Sequence, residues 1–447
     1  MKKTYTILRS SALACAALGL LAGNAKAALN YWDPTGLTGQ AGTSGTWESS
    51  SWATAVGGQA TPGTWSEANV ALAFNAGVGT FPNTYTVTAN VNHTFAGVFN
   101  GGIGGEHFGS VTIAGASGVV LSLQPTGFQG FDTTNGGNTT FTAVIGGVGG
   151  IQTQGSGSLF LDAANTYTGG TQLNTTAGVN FNNNSSFGTG SIQWGTVATG
   201  TAQTVMATQG SSPLTLGNAI IANAGTQIFV TTAAAPVTFN GAWTLSTVGT
   251  TGFQQNAAGT TVTINGKISG AAGFNKLGAG ILNLGNSANN NTGVVSASAG
   301  TLGFTANNVL ASTTQLKLNG GTVAVNGTSQ TLVGTLNLAA NSTIDLGSGN
   351  TGGSMSFANS SAVSWTAAKT ITIANFNPNI DTIQVGTDAT GLASGQLAEI
   401  TIDGGALGAT GINSFGDLYL IPEPSSLVLG ALGGLGMLWM VKRRKNA

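Results

Sequence analysis

Few side chains in this 447-residue sequence can move a proton near neutral pH. Between residues 28 and 421 there are twelve carboxylates and two histidines. Asp381, Asp388, Glu399 and Asp403 lie near one another in sequence, so a carboxylate pair for glycoside hydrolysis could be drawn from them. Such a pair acts only at a set separation in space, which spacing along the chain does not give. Solvated turn residues are the expectation for these four. His93 and His107 are the only histidines, which excludes a three-His zinc site. Polysaccharide lyases typically combine basic residues with acidic Ca²⁺ ligands. This stretch has no arginine and four scattered lysines, Lys267, Lys276, Lys317 and Lys369. No catalytic, cofactor-binding or metal-binding residue is expected, and the chain reads as a non-enzyme.

Other features that could bind a ligand are weak. Gly101-Gly102-Ile103-Gly104-Gly105-Glu106 approaches a calcium-binding G-G-x-G-x-D turn, but it has Glu for Asp and occurs once. A glycine-rich turn is the expectation there. Trp32, Trp47, Trp52 and Trp65 crowd one short region. Aromatic faces can stack on sugar rings, although capping an open end of a stacked fold is the commoner use. Four lysines against twelve acidic residues leave residues 28–421 at a net charge of −8. Nucleic-acid binding needs clustered Lys and Arg to neutralise phosphates, so no nucleic-acid partner is expected.

The two termini carry the clearest signals. Lys2, Lys3 and Arg9 precede an apolar stretch from Ala12 to Ala22, and Ala25-Lys26-Ala27 follows with small residues at −3 and −1. This is a signal peptide over 1–27, with signal peptidase cutting between Ala27 and Ala28. The apolar stretch falls well short of the roughly 20 residues that span a bilayer. Cys15, the only cysteine, lies inside it, so the mature chain has no disulfide or thiolate. At the other end stands Pro422-Glu423-Pro424, then Ser425-Ser426, an apolar run from Leu427 to Val441, and Lys442-Arg443-Arg444-Lys445. The prolines hold the tripeptide extended and open to a processing enzyme. The apolar run reads as a short spanning helix whose basic end stays in the cytoplasm.

Between the termini the elements are strands. Thr261-Val262-Thr263-Ile264, Gln315-Leu316-Lys317-Leu318, Thr335-Leu336-Asn337-Leu338 and Thr370-Ile371-Thr372-Ile373 each place an apolar residue at every second position. Gly, Asn or Ala follows each run. This is the period of short strands with one buried face, and no helix is expected between the termini. Ile145, Gly147, Gly150, Gly155, Gly157, Leu159 and Leu161 recur without a gap 123 residues later. The second copy is Ile268, Gly270, Gly273, Gly278, Gly280, Leu282 and Leu284. Thr153 stands where the second copy has Lys276, and Asn165-Thr166 is loosely echoed by Asn289-Asn290. Repeats of this kind stack so that each coil buries its apolar side on the next. Leu159, Leu161, Leu282 and Leu284 are therefore expected to point inward.

These residues carry resemblances. Gly155 to Thr171 and Gly273 to Leu284 resemble the autotransporter-associated β-strand repeat, which implies a right-handed parallel β-helix. Tyr31-Trp32-Asp33-Pro34, Gly45-Thr46-Trp47 and Ser51-Trp52 are similar to the N-terminal module of such surface proteins. A run from Ser342-Thr343-Ile344-Asp345 through Gln396 to Ile400 resembles a closing module. The tail resembles a PEP-CTERM sorting signal, which implies an exosortase as partner and a cell that makes exopolysaccharide. The expected organisation is 1–27 signal peptide, 28–100 tryptophan-rich cap and 101–340 β-helix. A β module over 341–421 and the sorting tail over 422–447 complete it. The expected role is an exported surface or matrix protein, structural or adhesive, anchored in the inner membrane through the tail before processing. The alternatives are a carbohydrate-binding surface protein and a β-helix polysaccharide hydrolase or lyase.

Overall fold

The computed structural model describes residues 28–34, 43–54, 60–67, 70–74, 84–100, 109–133, 137–174, 178–194, 203–208, 210, 212–223, 227–231, 235–246, 250–254, 259–348 and 352–421. The chain forms two compact units, Met1–Thr314 and Gln315–Ala447.

Both units are parallel β-solenoids. Short strands with burial alternating between inside and outside stack in register on the strands of the turns before and after. This is how a chain poor in helix formers buries apolar surface. Each strand hides every second side chain, and stacking completes its backbone hydrogen bonds. Among the described residues the only helix is the four-residue Ser394–Leu397.

In the first unit one column of backbone partners runs Ile151, Thr171, Ile192, Ile220, Trp243, Ile268. A second passes from Leu159–Leu161 through Gly178–Phe181, Gln203–Thr208, Gln227–Thr231 and Thr250–Gln254 to Gly273–Leu277. A third joins Leu214–Leu216, Val237–Phe239, Thr261–Ile264, Ile281–Leu284 and Thr301–Phe304. Between Leu214 and Leu277 each turn thus contributes a strand to all three faces. The interior is aliphatic and aromatic, and Leu159, Leu161, Leu282 and Leu284 all point into it, each at most 2% exposed. The inward expectation for these four leucines holds.

The two repeat copies fold alike in detail. Gly147 and Gly270 both have positive φ, 95° and 115°, at which a Cβ is strained. Asn165 and Asn289 are buried and act as matching clips. Asn165 accepts from the Ile145 amide at 2.8 Å and donates to the Ser186 carbonyl at 2.7 Å. Asn289 accepts from the Ile268 amide at 2.7 Å and donates to the Val309 carbonyl at 2.8 Å. A strand corner leaves backbone groups without ladder partners, and a buried amide side chain satisfies one donor and one acceptor at once.

Their placement differs. Ile268, counterpart of Ile145, lies in the column of Ile151. Gly273–Leu277, counterpart of the segment around Ile151, lies in the column of Leu159. The 123-residue repeat therefore advances the coil by five turns and one further face. Backbone partners one turn apart are 20 residues apart at Ile151 and Thr171, and 28 at Ile192 and Ile220.

In the second unit Thr322–Ala324, Ser342–Asp345, Ile371–Ala374 and Ile400–Ile402 form a parallel ladder that runs unbroken past residue 340. Ser329–Val333, Ser354–Phe357 and Thr382–Val385 form another. An antiparallel hairpin, Thr410–Ile412 with Leu418–Leu420, follows the last rung. The reversal ends the run of parallel strands. At the start of the first unit Ala28–Trp32 pairs antiparallel with Trp52–Ala53 on one side and parallel with Val70–Ala73 on the other.

Candidate functional site

The densest grouping of aromatic and ionisable side chains lies at the start of the first unit. Trp47 is fully buried, and its ring centroid stands 5.3 Å from that of Trp52 and 5.1 Å from that of Trp65. Trp32 meets Trp52 edge-on at 5.1 Å. His93 stacks flat on Trp47, with centroids 5.0 Å apart and planes 9° apart. Two carboxylates clasp its imidazole, with Nδ1 2.6 Å from Glu67 and Nε2 3.2 Å from Glu48. In sequence Glu48 and Glu67 lie between the stacked strands Ala28–Trp32 and Val70–Ala73, and His93 lies beyond the second, so stacking of the chain assembles them.

Both carboxylates also hold backbone. Glu48 accepts from the Asn90 amide at 2.6 Å and the Val91 amide at 3.1 Å. Glu67 accepts from the Thr94 amide at 2.6 Å and the Thr94 hydroxyl at 2.7 Å. Desolvation is the largest single influence on each and pushes its pKa up. The hydrogen bonds from backbone, Thr94 and His93 together outweigh it and hold both groups below the ordinary value of 4.5. With both ring nitrogens occupied by carboxylates, His93 has no free edge for a substrate or a metal. Among the described residues no group of three or more His, Cys, Asp or Glu is placed to hold a metal ion. The cluster is a clamp that ties the first turns together.

A pH prediction arises here. A carboxylate whose folded pKa is depressed stabilises the fold above its unfolded pKa and loses that contribution as pH falls through the folded value. The tryptophan cluster should therefore keep its folded fluorescence at pH 6 and loosen only as the pH falls below the ordinary carboxylate value of 4.5. A Glu48→Gln, Glu67→Gln variant should be less stable at pH 6 and show a flatter acid profile. Parallel acid profiles for variant and wild type would show that the clamp does not set the response.

Three of the four tryptophans offer no face to a sugar. Trp32, Trp47 and Trp52 are at most 2% exposed, and only Trp65 is half-buried. The carboxylates 381–403 are likewise committed to their own chain. Asp381 is buried and accepts from the Gly353 and Asn377 amides, both at 2.6 Å. Asp388 braces Thr390 in an exposed turn, Glu399 accepts from the Ala368 amide, and Asp403 accepts from the Phe376 amide. The expectation of solvated turn residues fails for Asp381, which is buried because both its oxygens hold backbone amides, and each of the four braces a different segment.

Lys276 is a lysine carried on an inward strand position. Its side chain is fully covered, and Nζ donates to the carbonyls of Leu277, Gly278 and Ala299 at 2.7, 2.8 and 3.1 Å. Burial lowers its pKa to about 8. Thr153, its counterpart, is also buried and accepts from the Asn174 amide. Both residues satisfy backbone near a corner, by charge in one copy and by a hydroxyl in the other.

The outer faces are polar and nearly uncharged. Gln152, Gln172 and Gln193 form an outward row linked side chain to side chain at 2.6 and 3.4 Å. Thr215, Thr238 and Thr263 stack in another column. Thr322, Thr343, Thr372 and Thr401 do so in the second unit.

Several sequence-derived sites fall outside the described residues. These are the signal peptide with Ala27, the turn Gly101–Glu106, His107, Pro422, Glu423 and Pro424, and the basic cluster Lys442, Arg443, Arg444 and Lys445. Ala28 is described. It is exposed and opens the first strand. Among the described residues no helix is long and apolar enough to cross a membrane. The Glu48–His93–Glu67 clamp was not foreseen from sequence. Its one signal is that it gathers a histidine and two acids from a region otherwise poor in charge.

Fold and site together define a parallel β-solenoid with a clamped aromatic start and uncharged outer columns. No family model, curated protein or solved structure matches the chain.

Proposed function

We propose that this protein is an exported structural or adhesive component of the cell surface or extracellular matrix. An exosortase sorts it through the C-terminal tail, and it associates with exopolysaccharide. The observation that carries this reading is the use of its polar groups. The carboxylates at 48, 67, 381, 388, 399 and 403 bind the protein's own backbone amides. The outward columns are threonine and glutamine. A surface of neutral hydrogen-bonding groups suits contact with hydrated polymers, whereas glycoside hydrolysis calls for an assembled pair of free acids. The buried tryptophans speak against sugar stacking at the first turns. The coil that accompanies this reading is right-handed, the hand of almost all parallel strand connections.

The tail tests the sorting half. The precursor is held in the inner membrane by Leu427 to Val441, with Lys442, Arg443, Arg444 and Lys445 in the cytoplasm. Mass spectrometry of surface material from the native host should find peptides ending near Pro424 and none from the apolar run. Replacing Pro422-Glu423-Pro424 with three alanines should leave insertion intact and cause uncleaved protein to build up in the membrane. Full-length wild-type protein in a host with an active exosortase would leave a plain anchor and defeat the sorting reading.

A further inference from the structure

Apolar side chains are exposed unevenly along the chain. Of the ten large hydrophobic residues exposed among the described residues, five fall between 407 and 421. Four of these gather around one end of the closing hairpin. Leu420 Cδ1 lies 2.9 Å from where a Cβ on Gly405 would stand, against the turn that carries Leu407. The Ile421 amide donates to the Ala409 carbonyl at 2.6 Å, and the Tyr419 ring covers Gly411 across the pair. Leu407 is 62% exposed, and Tyr419, Leu420 and Ile421 are each more than 40% exposed. The fifth, Phe415, sits in the turn at the other end of the hairpin.

A gathered apolar rim marks a contact surface, and the sequence beyond it names the contact. Leu427, where the apolar run begins, is six residues past Ile421. An extended chain of that length spans about 20 Å. Once the run is in a bilayer, this edge of the hairpin lies within that distance of the headgroups. Tyr together with Leu and Ile is the composition that settles at a membrane interface. No Lys or Arg occurs from 370 to 441, and the charged residues nearest in sequence are Asp417 and Glu423, with Asp403 just before Leu407. Such an edge suits zwitterionic headgroups and is repelled by anionic ones.

We propose that Leu407, Tyr419, Leu420 and Ile421 form a foot that rests in the zwitterionic interfacial layer of the membrane holding the tail. This rests on the reading of Leu427 to Val441 as an anchor. The foot sets the solenoid's last rung against the membrane before processing, so that Pro422-Glu423-Pro424 is presented at a fixed height above it.

The mature chain has no cysteine, so single reporters can be placed cleanly. Chain 28–447 carrying Leu420→Cys, Ile421→Cys or, as a reference, the exposed Val148→Cys is labelled with a polarity-sensitive fluorophore. It is then reconstituted into phosphatidylcholine vesicles doped with brominated lipid. The chain should float with the vesicles, and quenching at 420 and 421 should exceed that at 148 several-fold. Replacing a third of the lipid with phosphatidylserine should weaken it. Flotation with equal quenching at all three positions overturns the foot and leaves the anchor standing. Failure to float overturns the anchor and the foot with it. Shielding at 420 and 421 without bromine quenching, together with crosslinking between chains, assigns the edge to a second copy and overturns the proposal.

Discussion

Leu282→Asp should unfold the turn that carries it and the turns on either side. Leu282 is fully buried, and its backbone partners one turn away, Val262 and Leu302, are at most 3% exposed. A carboxylate there has no counter-ion and would lose its hydration. The expected loss is on the order of 4 kcal/mol or more, the range reserved for an unpaired buried charge. In a solenoid each turn is supported only by its neighbours, so the damage spreads along the stack before it spreads through the whole chain. Limited proteolysis should reveal new cuts between about residues 260 and 305, and hydrogen exchange should quicken over the same turns. Asn283→Asp places the same charge one residue along on the outward face and should change stability by less than about 0.5 kcal/mol. Equal protease resistance of Leu282→Asp and wild type would show that this side chain does not face the interior.

Gly273→Ala should be nearly as damaging for a different reason. A Cβ at Gly273 would overlap the carbonyl oxygen of Val294 and lie 2.6 Å from its nitrogen. Both are backbone atoms of the next turn, and neither can swing aside as a side chain would. That carbonyl also accepts the Phe274 amide at 3.1 Å, so relief of the clash breaks a rung of the ladder. About 3 kcal/mol is expected, the upper end of the usual cost of overpacking. Gly150, its counterpart in the first copy, faces the Gly169 carbonyl oxygen at 2.6 Å and should behave alike. Gly217 has no atom within 4 Å of its added carbon. Gly217→Ala should be neutral or stabilise by up to about 1 kcal/mol through the unfolded chain. Denaturation followed by fluorescence orders the three variants, and equal midpoints for Gly273→Ala and Gly217→Ala would refute the close approach.

The repeat shows how far local pattern reaches. Apolar residues at every second position announce a strand with one buried face, because side chains alternate across a strand whatever lies beside it. The inward direction of Leu159, Leu161, Leu282 and Leu284 could be read that way. The glycine at 147 and 270 could be read too, since an invariant spacing of glycines between aliphatic runs marks corners. The clip role of Asn165 and Asn289 could not. The loose echo between their segments was visible, but the amides each clip holds belong to strands 20 and 21 residues away. The carboxylates at 381, 388, 399 and 403 were expected as solvated turn residues, but Asp381 is buried, and the separate backbone partners of all four appear only in the fold.

By itself the sequence determined that this chain is all-β, that it coils through short strands with one inward side, and that residues 28–421 carry a net charge of −8. These properties follow from residue types and a period of two, which every strand carries within itself. The tertiary structure alone decided which face each strand occupies. The second repeat copy sits one face further round than the first because turns differ in length, 20 residues at one step and 28 at another. All three faces make the same demands, an apolar interior and satisfied corners, so the same block folds on any of them. It also decided that Glu48, His93 and Glu67 meet. They are 19 and 26 residues apart along the chain, and only the stacking of turns at about 4.8 Å brings them within a hydrogen bond of one another.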